Sequence, residues 1–109
     1  MKIELYTEEQ KAAIRAVIIY LNNMTVDRCK FENGMGFNKD DMDDGEFLAS
    51  IFVDPTMTSN CTYQDYDAAK AIIFKYHRQI NQRDFILIFG KTYEEIHNLH
   101  IMKKMGLYG

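Results

Sequence analysis

The sequence predicts a helix-rich α+β domain with a short two- or three-stranded sheet, with an all-α arrangement as the alternative. Three patterns lead there. Long stretches place apolar residues at helical spacing, residues 2–6 alternate polar and apolar side chains, and Phe85-Ile86-Leu87-Ile88-Phe89 is an unbroken apolar run closed by Gly90. A chain of 109 residues suits one domain, residues 1–109, built around one core. The all-α alternative stays open because two strands alone make a thin sheet.

Each element follows from a local signal. Lys2-Ile3-Glu4-Leu5-Tyr6 puts Ile3 and Leu5 on one face of a short strand. Thr7-Glu8-Glu9-Gln10 is a capping box, and Ile14, Val17, Ile18 and Leu21 then form one apolar stripe, so a helix is expected over about residues 8–23. Asn22-Asn23 is expected to end it. Asn33-Gly34 and Gly36 point to tight turns with positive φ between Cys29 and Phe37. Asn38 then caps a helix whose first turn is acidic, with Phe47, Leu48, Ile51 and Phe52 as its apolar face and Asp54-Pro55 as its stop.

Thr56 to Cys61 reads as a polar loop. Thr62-Tyr63-Gln64-Asp65 starts a long helix in which Tyr66, Ala69, Ile73, Tyr76 and Ile80 keep helical spacing. The run Phe85–Phe89 suits a strand covered on both faces and paired with residues 2–6. Thr92-Tyr93-Glu94-Glu95 opens a last helix with Ile96, Leu99 and Met102 on its apolar side, Lys103 and Lys104 near its end and Gly106 as its cap.

Composition narrows the function classes. Hydrophobic residues make up 47% and charged residues 27%, the balance of a globular chain, and the formal charge of −3 is too mild for a uniformly basic nucleic-acid binder. The longest apolar run, Ala16 to Leu21, is far short of a membrane span, and the opening residues lack a secretory apolar region, so no membrane association and a cytoplasmic location are expected. Cys29 and Cys61 are too far apart in sequence for a CxxC knuckle, so reduced thiols are expected.

Charge is nevertheless segregated along the chain. Residues 38–54 set Lys39 against Asp40, Asp41, Asp43, Asp44, Glu46 and Asp54, a net charge of −5. Residues 70–91 set Lys70, Lys75, Arg78, Arg83 and Lys91 against Asp84, a net charge of +4. Lys75 and Arg78, with Tyr76, His77, Gln79 and Gln82 beside them, have the chemistry to meet phosphates and stack on bases. A solvated helix face is the plainer reading of the same residues.

Catalytic patterns are weak by comparison. Aligning Gly45 with the invariant glycine of a calcium-binding loop puts Met42 and Ile51 at ligand positions, where neither side chain can ligate. Glu94, His97 and His100 share one helical face, but there is no HExxH signature and no matching ligand motif elsewhere. No Gly-x-Ser-x-Gly elbow, P-loop or GxGxxG is present, so no cofactor, resident metal or enzymatic activity is expected.

Two stretches together carry a family resemblance. Asn33-Gly34-Met35-Gly36-Phe37-Asn38-Lys39 with Asp41, Gly45, Leu48 and Ala49, followed by Ala69, Ile72, Lys75-Tyr76, Arg78-Gln79 and Ile80, resembles a small segment of the form NGxGFNxxDxxxGxxLA … KYRRQL. That segment is found beside helicase-type domains of phage and bacterial proteins, and the resemblance covers roughly residues 29–81. Asp44 stands where an aromatic residue is usual, and His77 replaces an arginine. The resemblance implies a stand-alone phage or mobile-element protein working close to nucleic acid, as an accessory factor or as an inhibitor of host machinery such as an anti-CRISPR protein.

Two functional expectations follow. The first is a non-enzymatic module acting on nucleic acid or a nucleic-acid-processing complex, with Lys70, Lys75, Arg78 and Arg83 positioning phosphates and Tyr76 packing the helix or stacking. The alternative is a phage-encoded inhibitor of a host nuclease or CRISPR effector, with Asp40, Asp41, Asp43, Asp44 and Glu46 facing a basic groove.

Overall fold

The computed structural model describes the backbone of residues 6–31 and 36–104 and the side chains of 6–25 and 36–99. Among these residues every regular element is a helix. They are α1 (Glu8–Phe31), α2 (Met42–Val53), α3 (Pro55–Thr58), α4 (Tyr63–Lys75), α5 (Gln82–Phe89) and α6 (Tyr93–Lys104), with a 3₁₀ turn at His77–Gln79.

The α+β expectation is therefore corrected to an all-α fold. Phe85–Phe89 lies within α5, because both ends of that run carry helix signals. The Asn81 side chain accepts from the Asp84 N–H at 2.8 Å, and Gly90, at φ 79°, closes the other end by donating its N–H to the Ile86 carbonyl. The run is also amphipathic at helical spacing. Phe85 and Ile88 are buried while Ile86 and Leu87 face outward, so it has no need of two covered faces. The other expected strand, at residues 2–6, falls outside the described residues except for Tyr6, which is a buried bend.

The first helix starts as its capping box dictates, with Gln10 N–H on the Thr7 hydroxyl at 3.1 Å and Thr7 N–H on the Gln10 side chain at 3.0 Å. It runs past Asn22-Asn23 to Phe31. Asparagine disfavours a helix by less than about 1 kcal/mol, and the next strong breaker in the sequence is Gly34. Ile14, Val17, Ile18 and Leu21 are buried as expected, and α1 packs against α2, α4 and α5.

The junction after α2 follows from Asp54-Pro55. Asp54 is extended, Pro55 takes the first helical position, and the Asp54 carboxylate accepts from the Thr56 N–H at 2.9 Å. The expected polar loop thus begins with a helical turn. In α4 the Asp65 carboxylate accepts from the Thr62 N–H at 2.9 Å, but the helix ends at Lys75 and not at Ile80.

The last helix opens on the expected box, Glu95 N–H to the Thr92 hydroxyl at 3.1 Å and Thr92 N–H to the Glu95 carboxylate at 3.2 Å. Its hold on the remainder is aromatic. Tyr93 lies flat on His77, ring centroids 3.5 Å apart and planes 4° apart, and also meets Phe74 at 5.5 Å and Phe85 at 6.2 Å. The Gly106 cap lies outside the described residues, and no described helix is long and apolar enough to cross a membrane.

Candidate functional site: a polar knot and two charged faces

A network of hydrogen bonds joins the segment before α2 to the end of α4. Asp41, 6% exposed, occupies the residue before α2 yet makes no cap bond to that helix. Its carboxylate instead accepts from the Tyr76 hydroxyl at 2.6 Å and from the Lys75 ammonium at 3.2 Å. The Tyr76 oxygen accepts in turn from the Asn38 N–H at 2.8 Å, and the Asn38 side chain accepts from the Asp41 N–H at 3.2 Å. A buried hydrogen bond to a charged group is worth about 1.5–3 kcal/mol, so the Tyr76–Asp41 bond clamps the segment before α2 to the end of α4.

Two further bonds extend it. Gln79 brackets Gly36, accepting from its N–H at 2.7 Å and donating to its carbonyl at 3.3 Å. Thr25 accepts from the Phe37 N–H at 2.6 Å while donating to the Leu21 carbonyl at 2.8 Å. Phe37 is fully buried and meets Tyr76 edge-on at 5.4 Å.

Two glycines make the close approach possible. A Cβ on Gly36, whose φ is 92°, would sit 2.3 Å from the Thr25 nitrogen, and a Cβ on Gly45 would sit 2.2 Å from the Phe37 ring. Gly36, Phe37, Asn38, Asp41, Gly45, Lys75, Tyr76 and Gln79 are all residues on which the sequence resemblance rests, and here they form one structural unit.

That unit redistributes the expected site residues. Asp41 and Lys75, expected on opposite functional faces, are bonded to each other, although Lys75 keeps 59% of its side chain exposed. Tyr76 is 7% exposed and packs inside, so base stacking is not available to it. Lys70 is half-buried, with its ammonium 5.6 Å from the Tyr6 ring centre and 5.3 Å from that of Phe89. Arg78 and Arg83 remain exposed, and no carboxylate pairs with either among the described residues.

The acidic face is more open. Asp40, Asp43, Asp44 and Glu46 are exposed and make no ion pair among the described residues. Phe47, expected on the apolar face, turns outward and is 61% exposed. Asp43 and Asp44 precede it by four and three residues on α2, so the ring stands among carboxylates.

Glu94 and His97 are exposed on α6, His97 stacks on Tyr93 with centroids 5.8 Å apart, and the His100 side chain lies outside the described residues. Among the described residues no three His, Cys, Asp or Glu side chains cluster as a metal site would require. Sequence reading missed Thr25 and the outward Phe47. The first had a signal, a lone hydroxyl four residues after Leu21 on an apolar stripe. No protein-family model, curated protein or solved structure matches the chain.

Proposed function

We propose that the chain is a binding module that docks through the outer face of α2 onto a basic surface of a nucleic-acid-processing protein, blocking or occupying a groove that otherwise holds nucleic acid. The observation that carries this reading is Phe47, 61% exposed among the exposed Asp43, Asp44 and Glu46. An aromatic anchor ringed by like charges combines burial energy with selection for a cationic partner. The resemblance to segments beside helicase-type domains supports the same class of partner.

A second reading rests on Arg78 and Arg83, exposed cations without carboxylate partners among the described residues, which suit direct phosphate contact. Affinity purification with tagged chain, with and without nuclease treatment, separates the two. The α2 reading expects a protein partner that survives nuclease and is lost with Phe47→Ala or with Asp43→Lys and Asp44→Lys together. Partners that vanish with nuclease, and with Arg78→Glu and Arg83→Glu, would replace it with the phosphate reading.

A further inference from the structure

On another part of the surface, a groove of about 560 Å³ opens between α1, the α2–α3 junction and the start of α4. That volume is in the range of small-molecule sites, roughly 300–1,000 Å³. Along α1 the groove is lined by two cations and the acid Glu8. Lys11 and Arg15 lie one turn apart on α1 and both line the groove. Beside them Val53 offers an exposed apolar side chain, while Phe52 and Tyr66, rings stacked at 5.4 Å and 21°, are nearly buried in the groove floor.

Arg15 is the distinguishing feature. It is half-buried, and its guanidinium donates to the Tyr66 hydroxyl at 2.9 Å, a neutral partner. Among the described residues no carboxylate pairs with it, since Glu8, the acid in the groove, is bonded to Lys11 at 2.9 Å. A partly desolvated guanidinium held by a tyrosine keeps most of its five donors for something else, and its fork matches an oxyanion. The tyrosine bond also fixes the direction in which that fork points. Cys61 stands at the groove's edge, half-buried, where an occupant would cover its thiol.

We propose that this groove binds a small organic anion, a carboxylate or phosphate monoester carried on a small apolar body, with the oxyanion on Arg15 and the body against the exposed Val53. Neither proposed macromolecular contact uses this surface, so the site is independent of the docking reading.

Cys61 supplies a local reporter. The rate at which iodoacetamide alkylates it is read by site-resolved mass spectrometry on the whole chain, with phenyl phosphate, benzoate, inorganic phosphate or benzylamine present. At about ten times Kd, phenyl phosphate or benzoate is expected to slow alkylation about tenfold, with inorganic phosphate weaker at the same concentration and benzylamine without effect. Protection by phenyl phosphate alone assigns a phosphate monoester, and protection by benzoate alone assigns a carboxylate. Arg15→Gln, which retains a donor for Tyr66, should abolish protection while leaving the thermal midpoint within a few degrees of wild type. Amide shifts around Cys61 and Tyr66 on adding the same anions give a second readout that needs no variant. No protection by either aromatic anion, protection that persists in Arg15→Gln, or equal protection by benzylamine would overturn the assignment.

Discussion

The carboxylate of Asp41 accepts the hydroxyl hydrogen of Tyr76 at 2.6 Å, 35 residues away in sequence. Each partner is almost fully buried, and each has a further bond inside the same network, Asp41 with Lys75 and Tyr76 with the Asn38 N–H. Removing the Tyr76 hydroxyl takes away the donor to the buried Asp41 Oδ2, and leaving a buried acceptor atom unmet costs more than the bond alone.

Tyr76→Phe is therefore expected to destabilise the chain by about 2–3 kcal/mol, and a double-mutant cycle with Asp41→Asn should give a coupling of about 1–3 kcal/mol. Lys75→Ala should cost under about 1 kcal/mol, because its ammonium is exposed and screened. Urea unfolding checks all three. A coupling near zero would show that the hydrogen bond is not a clamp.

Three glycine substitutions should rank by the room each has. Gly45→Ala forces the buried Phe37 ring aside and should cost about 1–3 kcal/mol. Gly36→Ala meets Thr25 backbone from a positive φ and should cost more than either other change. Gly90→Ala, with φ 79° but nothing within 4 Å, should lose only about 1–2 kcal/mol. Thermal midpoints in that order support the packing described, and Gly45→Ala at wild-type stability would contradict it.

Alkaline pH should act through Tyr6. Burial, and then its hydrogen bond to Asp67, raise the Tyr6 pKa from 10.0 to about 12. A tyrosine whose pKa is higher folded than unfolded contributes stability that is complete below pH 10 and is lost as the pH rises towards 12. Tyr6→Phe should therefore be less stable than wild type at neutral pH, with the gap narrowing above pH 10. Urea midpoints of both chains across that range test this, and a constant gap would argue against it.

The attachment of α6 should be separable from the main core. Tyr93 contacts His77, Phe74 and Phe85, and the buried cluster built on α1, α2 and α4 does not include it. Tyr93→Ala is expected to raise proteolytic cleavage within residues 93–104 by about tenfold or more while the α1 and α4 core keeps its slow exchange. Loss of both together would show that α6 is part of the cooperative core.

Helix starts were legible because caps are local. Thr7 with Gln10, Thr62 with Asp65 and Thr92 with Glu95 each act within three residues, and the structure uses all three. The run Phe85–Phe89 was not legible, since five consecutive apolar residues have no period of their own. Asn81 and Gly90, which decide it, sit outside the run. The candidate site failed to show for a related reason. Asp41, Lys75 and Tyr76 carry charge or aromatic character in sequence, but their mutual bonds span 34 and 35 residues and depend on how α2 meets α4. Charge segregation along a chain does not reveal which charges neutralise each other once it folds.

The knot also changes how the segment preceding α2 should behave towards solvent deuterium. Gly36, Phe37 and Asn38 belong to no helix, yet their amide hydrogens are held by the side chains of Gln79, Thr25 and Tyr76. Such amides exchange only when the partners let go, so this stretch of irregular backbone should resist exchange as long as the Thr25 turn of α1 and the end of α4 do. The three amides should then share one opening event, and Tyr76→Phe should release Asn38 first.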